Sequence, residues 1–153
     1  MRKSDEVVSV ARSWIGTRYL HQHRHKGHGV DCVGLIIGVG IEAEVLSTWS
    51  PQAWRRHSRY GVAPNPSHML AAMKEFLVPI DVPKGEVGPD GSIAWLGWRE
   101  GLPMHLAIAA TAPEGYRTII HALSLAGSVV EHSVSADWLA YVEGWWRYPD
   151  LTE

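Results

Sequence analysis

The chain has 153 residues, of which 46% are hydrophobic, so it is long enough for one domain with its own core, and we expect a single domain over residues 1–153. Its formal net charge of −2 offers no broad basic surface, which argues against a nucleic-acid-binding protein. One cysteine excludes an internal disulfide and a cysteine-rich zinc site, and no apolar run approaches the roughly 20 residues that membrane insertion needs.

The first half of the chain is predicted to be helical. The N-terminal residues carry charges with no apolar stretch behind them, so we expect no secretory signal and synthesis in the cytoplasm. A histidine-rich loop over residues 17–29 and a linker over residues 60–66 interrupt the helical pattern. Apolar spacing and capping residues predict four helices, at residues 4–15, 31–46, 50–57 and 67–77.

The second half changes to an alternating pattern. Residues 79–91 contain several prolines and glycines and are predicted to be irregular, and residues 137–139 form a short helical turn. Five strands are predicted, at residues 92–98, 105–111, 117–123, 128–132 and 141–148. Helices followed by strands indicate an α+β domain, with N-terminal helices packed on a C-terminal antiparallel sheet.

Cys32 is the candidate nucleophile. It follows the histidine-rich loop and begins the second predicted helix, with Asp31 as the N-cap. A helix N-terminus lowers the pKa of a thiol and favours the reactive thiolate. Gly34 and Gly38 share one face of this helix, which predicts close contact with another element, because a glycine there costs about 1 kcal/mol relative to alanine. A lone cysteine is also common as a small buried hydrophobic residue, and that alternative stays open.

His105 and His121 are the candidate partners of the thiol. A short connection between their strands predicts a hairpin in which Thr111 pairs with Arg117. This register places both histidines on one face of the sheet, within side-chain reach of each other. The alanines that follow His105 on that face are expected to leave room for the glycine-bearing helix. Either histidine alone is equally compatible with a hydrogen-bonded core residue.

One cysteine with two distant histidines is typical of a nucleophile with its base. Cys32 would attack a carbonyl carbon, either after losing its proton to His105 or already as a thiolate beside an imidazolium. His121 would orient His105 by hydrogen bonding to its other ring nitrogen, and the N–H of Cys32 would stabilise the oxyanion. The pattern therefore predicts amide cleavage through an acyl-enzyme.

Four segments together resemble the NlpC/P60 cysteine peptidases. They are residues 14–19 (Trp-Ile-Gly-Thr-Arg-Tyr), 31–35 (Asp-Cys-Val-Gly-Leu), 105–108 (His-Leu-Ala-Ile) and 120–122 (Ile-His-Ala). The likeness is to the phage and gene-transfer-agent branch of cell-wall peptidases in particular. It extends from about residue 7 to residue 149.

The resemblance implies a papain-like α+β fold and hydrolysis of peptidoglycan stem peptides, at the amide bond between D-γ-glutamate and a diamino acid. By position, it implies a triad in which Cys32 is the nucleophile, His105 the base and His121 the third polar residue. It also implies that Tyr19 lies near the thiol and assists the oxyanion, and that Asp31 lies close to the amino group of the substrate. Phage tail proteins are the implied partners, and the virion tail the implied location.

The chain departs from the pattern of this family at three points. Many members have serine at the position of Val33, so a hydroxyl near the expected substrate site is missing here. A common proline is replaced by Arg18. The Pro-Gly-Asp block before the first core strand reads Pro-Asp-Gly at residues 89–91. The preference among wall peptides is therefore not given by the resemblance.

The histidine-rich loop allows two interpretations. Alternating histidines on an extended segment suit zinc, copper or nickel, but the neighbouring Arg24 and Lys26 disfavour a cation. We favour a loop at the rim of the cleft, where His21 and His23 bind carboxylate-bearing wall peptides. No metal and no cofactor are expected.

Three other functions stay open on the sequence. A structural tail-tip or assembly module would keep the fold and do little chemistry, and a metal-binding module would use the histidine-rich loop. An acyl transferase would pass through the same thioester as a peptidase. The presence of Cys32, His105 and His121 together favours the peptidase over the structural module, since a module without chemistry needs none of them.

Overall fold

The structure is a computed structural model that describes residues 2–57, 66–99 and 102–152. The helices in these ranges are α1 (Lys3–Arg12), α2 (Cys32–Glu42), α3 (Pro51–Trp54), α4 (Pro66–Phe76) and α5 (Ala136–Leu139). The strands are β1 (Arg24–His25), β2 (Gly29–Val30), β3 (Val78–Ile80), β4 (Ile93–Arg99), β5 (Leu102–Thr111), β6 (Arg117–Leu123), β7 (Ser128–Ser133) and β8 (Val142–Arg147).

A six-stranded antiparallel sheet in the order β3-β8-β4-β5-β6-β7 forms the centre of the molecule. The short strands β1 and β2 form a separate antiparallel hairpin between α1 and α2. The predicted α+β class, with N-terminal helices and an antiparallel sheet, is confirmed. In the described part of the chain, every helix is too short or too polar to cross a membrane.

Both faces of the sheet are buried, and they bury different partners. Alternation along β5 sends Leu106 and Ile108 to the face that packs against α1 and α2, where the larger core lies. It sends Ala107 and Ala109 to the opposite face, which forms a smaller apolar cluster with Trp138 of α5 packed against it. The sheet therefore divides the helices α1 and α2 from the side on which α5 lies.

The glycines of α2 do allow close packing, but against other partners than predicted. A Cβ on Gly38 would lie 2.5 Å from Cζ2 of Trp14, which follows α1. A Cβ on Gly34 would lie 2.4 Å from the carbonyl oxygen of His23 in the preceding loop. Ala107 and Ala109 belong instead to the smaller apolar cluster on the opposite face of the sheet, because strand alternation turns them away from α2. The expectation that these alanines make room for α2 is wrong.

Several predicted boundaries also differ from the structure. The second helix ends at Glu42, and Glu44 has a φ of 58°, which is incompatible with a continuing helix. The helix predicted at residues 50–57 spans only Pro51–Trp54, with the Ser50 hydroxyl accepting from the Ala53 N–H. Pro79, predicted to be irregular, belongs to β3, which lies at an edge of the sheet and so does not need its missing N–H.

Two predicted connecting segments have different outcomes. The loop predicted at residues 17–29 contains the β1–β2 hairpin, whose strands are too short to show an alternating pattern. The linker predicted at residues 60–66 lies outside the described residues, apart from Pro66 at the start of α4.

We expect Gly38→Ala to lower the free energy of unfolding. Overpacking against the Trp14 indole costs about 1–3 kcal/mol, which exceeds the roughly 1 kcal/mol that alanine gains over glycine in a helix. Urea unfolding measures the difference. Combining Gly38→Ala with Trp14→Phe should lower the free energy of unfolding by less than the sum of the two single losses, because the smaller ring makes room for the methyl group. A Gly38→Ala variant as stable as the wild type would contradict the close contact.

Candidate active site

Asp31 fixes the start of α2, where Cys32 is the first residue. Its Oδ1 accepts a hydrogen bond from the Gly34 N–H at 2.8 Å, as the predicted N-cap should. Its Oδ2 accepts the Gln22 N–H at 2.8 Å. The carboxylate is 2% exposed. One side chain therefore ties the histidine-rich loop to the helix start, and the predicted cap is confirmed.

The same loop crosses directly over the first turn of α2. The His23 carbonyl accepts the Asp31 N–H at 3.2 Å, and it lies where a side chain on Gly34 would begin. Only glycine at this position lets the loop approach so closely. The glycine after the cysteine thus serves the geometry of the helix start.

Tyr19 is brought to the helix start by strand-like pairing. It forms an isolated parallel bridge with Val30, whose N–H donates to Arg18 and whose carbonyl accepts from Leu20. Burial raises the pKa of Tyr19 to about 12, with further contributions from the charges of Cys32 and Asp31. Tyr19 therefore stays protonated, as a hydrogen-bond donor in the neighbourhood of the thiol.

His105 and His121 are in direct contact. His105 Nε2 lies 2.7 Å from His121 Nδ1, and the two rings are 5% and 0% exposed. The ladder between β5 and β6 runs from Thr111↔Arg117 to Ile108↔Ile120, so the predicted register is confirmed. The two histidines share one face of the sheet, as predicted. It is the face opposite α2, because His105 pairs with Leu96, which belongs to the smaller apolar cluster.

Cys32 reaches the sheet beside His105. The backbone N–H of Leu106, the residue after His105, lies close enough to the Cys32 sulfur to act against the rise in the pKa of the thiol. Leu106 lies beyond the last pair of the β5–β6 ladder, so the thiol meets β5 where that ladder has ended. Of the two nitrogens of the His105 ring, Nε2 is the one directed toward His121.

Burial keeps this site neutral. It raises the pKa of Cys32 to about 12, with the Asp31 charge adding to the effect and backbone N–H groups opposing it. Burial lowers the pKa of His105 to about 3 and that of His121 to about 2. The expectation that the helix N-terminus lowers the thiol pKa is wrong, because desolvation outweighs the helix dipole. These pKa directions favour a neutral Cys32 thiol and a neutral His105 imidazole as the resting state.

The histidine-rich loop lies at the exposed edge of this region. His21 and His23 are exposed; His21 Nδ1 is 4.0 Å from Asp31 Oδ2, and His23 Nδ1 donates to the His21 carbonyl at 2.8 Å. No group of three or more His, Cys, Asp or Glu side chains is arranged to hold a metal within residues 2–57, 66–99 and 102–152. The contact of His21 and His23 with substrate stays a prediction.

His132 on β7 is a site residue that the sequence reasoning missed. Its Nε2 lies 2.8 Å from His121 Nε2, and its Nδ1 lies 2.9 Å from the Ser133 carbonyl oxygen. The β6–β7 ladder pairs Ile119 with His132, which sets His132 diagonally beside His121 on one face. The short connection between the strands predicted at residues 117–123 and 128–132 indicates a second hairpin, and its register is the signal that would have placed His132 beside His121.

Comparisons with known proteins identify the fold. No model of a protein family matches the sequence, and no curated protein matches it. Several solved structures are similar, and three of them are informative. The NlpC/P60 domain of the peptidoglycan hydrolase SagA is 18% identical, with a TM-score of 0.53 over 94% of this chain and 97% of that one.

Two further similar structures come from Staphylococcus aureus and Bacteroides uniformis. A lipoprotein-like protein of the NLP/P60 family from Staphylococcus aureus is 15% identical, with a TM-score of 0.57 over 95% of this chain and 41% of that one. An N-acetylmuramoyl-L-alanine amidase from Bacteroides uniformis is 16% identical, with a TM-score of 0.54 over 95% and 96%. At these identities the likeness shows the fold alone, which is that of the NlpC/P60 domain.

We expect Cys32 to be slow toward iodoacetamide in the folded protein at pH 7.5, because burial disfavours the thiolate. The rate should still be rising above pH 9.5, whereas an ordinary thiol has a pKa near 8.5. The same chain in urea is the matched control, since its only cysteine is then an ordinary thiol. Equal rates at pH 6 and pH 8 in the folded protein would reveal a preformed thiolate and contradict this prediction.

Stability should fall as the pH is lowered from about 6.5 toward 3. The pKa of His105 and that of His121 are depressed in the folded state, so the unfolded chain binds more protons in this window. Each histidine contributes a slope of up to about 1.4 kcal/mol per pH unit. Urea unfolding at pH 7.5, 5.5 and 4.5 measures it. His121→Gln should reduce the dependence of the free energy of unfolding on pH, whereas His28→Gln, in the exposed loop, should leave it unchanged. The same pH dependence in both variants would contradict the assignment to the buried histidines.

Proposed function

We propose that this protein is a cysteine peptidase that hydrolyses peptidoglycan stem peptides. One observation carries the proposal: a thiol at a helix start meets β5 at Leu106, next to His105, which is hydrogen-bonded to His121 at 2.7 Å. The fold supports it, because similar structures include a peptidoglycan hydrolase domain and an N-acetylmuramoyl-L-alanine amidase. Within this fold, the three residues are those that amide cleavage through a thioester requires.

The neutral resting pair decides the order of events. As the Cys32 sulfur attacks the substrate carbonyl, its proton passes to Nδ1 of His105, so charge develops only in the transition state. The N–H of Cys32 at the start of α2 and the Tyr19 hydroxyl are the donors for the oxyanion. When the carbon–nitrogen bond breaks, His105 returns the proton to the leaving amine. Water then attacks the thioester, giving its proton to His105, and the carboxylic acid and the Cys32 thiol are released.

The substrate bond and its recognition follow the resemblance to the family. We propose the amide between D-γ-glutamate and a diamino acid as the bond that is cleaved. Asp31 is proposed to act on the substrate amino group through its charge, since its two oxygens already accept backbone N–H groups. The exposed His21 and His23 are proposed to bind carboxylates of the wall peptide at the rim.

A place in a virion tail is proposed as the biological setting. Its support is the likeness of the sequence motifs to the phage and gene-transfer-agent branch. Tail proteins would then be the partners that carry the enzyme to the wall. Cleavage limited to the point of entry would be the result.

We expect Cys32→Ala to abolish digestion of purified sacculi without unfolding the protein, because the replaced side chain is small and lies at a helix end. His105→Ala should lower the rate by about 10²–10⁴-fold, the usual contribution of a general base. His121→Ala should lower it less, since this residue orients rather than transfers the proton. Mass spectrometry of the released peptides identifies the bond, and circular dichroism checks the folding.

The matched control is His28→Ala, a histidine in the exposed loop. It should digest sacculi at the wild-type rate. Full activity in Cys32→Ala would rule out the thiol as nucleophile. Intact sacculi of several wall types after treatment with the wild-type protein would instead favour the structural tail module.

A further inference from the structure

We propose that His132 is a positioning residue that acts through His121 to hold His105 in the tautomer able to accept the thiol proton. The meaning of this arrangement for catalysis rests on the proposed function. The arrangement itself does not, because it follows from three hydrogen bonds. Those bonds join three imidazoles in a row and end on a backbone carbonyl.

The row is continuous from the thiol side of the site to the surface. His105 Nε2 lies 2.7 Å from His121 Nδ1, and His121 Nε2 lies 2.8 Å from His132 Nε2. His132 Nδ1 lies 2.9 Å from the carbonyl oxygen of Ser133. His105 and His121 are buried, whereas His132 is partly exposed. Both nitrogens of His121 and both of His132 are therefore committed to this row.

The carbonyl at the end sets the direction of every bond. A carbonyl oxygen only accepts, so Nδ1 of His132 must carry a hydrogen. A neutral imidazole has one N–H, so Nε2 of His132 accepts, and Nε2 of His121 donates to it. Nδ1 of His121 then accepts from Nε2 of His105. The single hydrogen of His105 is thereby placed on Nε2, and its Nδ1 keeps the lone pair.

The opposite direction would disable the base. If His121 carried its hydrogen on Nδ1, it would donate to Nε2 of His105, and His105 would hold its hydrogen on Nδ1. Such a ring cannot take a proton from Cys32 at that nitrogen. The two arrangements of the His105–His121 pair differ only in direction, so the group that faces Nε2 of His121 selects between them. In this chain that group is His132, whose own tautomer is set by the Ser133 carbonyl.

Packing holds the rings in the required places. Trp138 of α5 lies against the middle ring and the last ring of the row, with centroid distances of 5.3 Å to His121 and 4.8 Å to His132. The Ser135 hydroxyl caps α5 by accepting from the Trp138 N–H. Paired strands and a capped helix turn, rather than a free loop, therefore position His132.

Two substitutions separate the hydrogen bond from the packing. His132→Phe keeps a ring against Trp138 but removes the acceptor for His121. His132→Gln loses the ring but offers an amide oxygen that accepts from Nε2–H of His121. If His132 acts through the hydrogen bond, His132→Phe should lower kcat by about 10²-fold, at the low end of what a general base contributes, and His132→Gln should recover most of it. KM should stay unchanged in both variants. The reverse order, an active Phe variant and an impaired Gln variant, would show packing alone and overturn the proposal.

Nitrogen-15 spectra of the histidine rings at pH 8 give a readout that needs no substrate. In the wild type, His105 and His121 should both carry their hydrogen on Nε2, with the His105 signals assigned by their loss in His105→Gln. In His132→Phe, His105 should move toward the form with hydrogen on Nδ1, and His132→Gln should resemble the wild type. A wild-type His105 with its hydrogen on Nδ1 overturns the proposal without any variant, so a misfolded Phe variant does not leave it untested.

Failure of this proposal and failure of the proposed function can be told apart. Inactive wild-type protein with the expected tautomers would remove the peptidase function and leave the positioning of His105 by His132 supported. Active wild-type protein whose His105 tautomer is the same in His132→Phe as in the wild type would remove the role of His132 and leave the peptidase standing.

Discussion

The geometry of the whole site depends on the two hydrogen bonds that the Asp31 carboxylate accepts. One begins α2, and an N-cap of this kind contributes about 1 kcal/mol; the other pins the loop at Gln22 onto that beginning. The loop can lie there only because Gly34 has no side chain. The adjoining Arg18–Leu20 stretch then pairs with Val30 and brings Tyr19 alongside. The buried carboxylate of Asp31 thus sets the positions of the Cys32 thiol, of the loop above it and of the Tyr19 side chain.

Burial explains why neutral groups are favoured at the candidate site. Cys32, His105 and His121 are 9%, 5% and 0% exposed, so a permanent thiolate and imidazolium would be poorly solvated. The same exclusion of water strengthens the hydrogen bonds that meet charge as it forms during attack. In the proposed mechanism, a neutral pair develops charge only when a carbonyl is in place. The expected loss of stability in acid has the same origin, because two buried rings resist protonation that the unfolded chain accepts freely.

The sheet separates the two parts of the candidate site. Cys32, the proposed nucleophile, approaches from the side of α2 and the larger core, whereas the three imidazoles lie on the face that α5 covers. The thiol comes close to the sheet at the N–H of Leu106, the residue after His105, just past the end of the β5–β6 ladder. Covering both faces is what allows polar rings to be buried on one of them. The small α5 turn, which looks like a simple connection, therefore shields the row of histidines through Trp138.

The sequence by itself determined the features that depend on near neighbours. Asp31 as a cap, the need for glycine at residues 34 and 38, and the Thr111–Arg117 register all follow from local geometry, and so the meeting of His105 and His121 could be predicted. Tertiary structure decided the rest: which partner faces each glycine, which face of the sheet holds the histidines, the inclusion of Pro79 in an edge strand, and the place of His132. It also decided the pKa of Cys32, because the helix dipole is visible in the sequence, whereas desolvation is the sum of everything that packs around the sulfur.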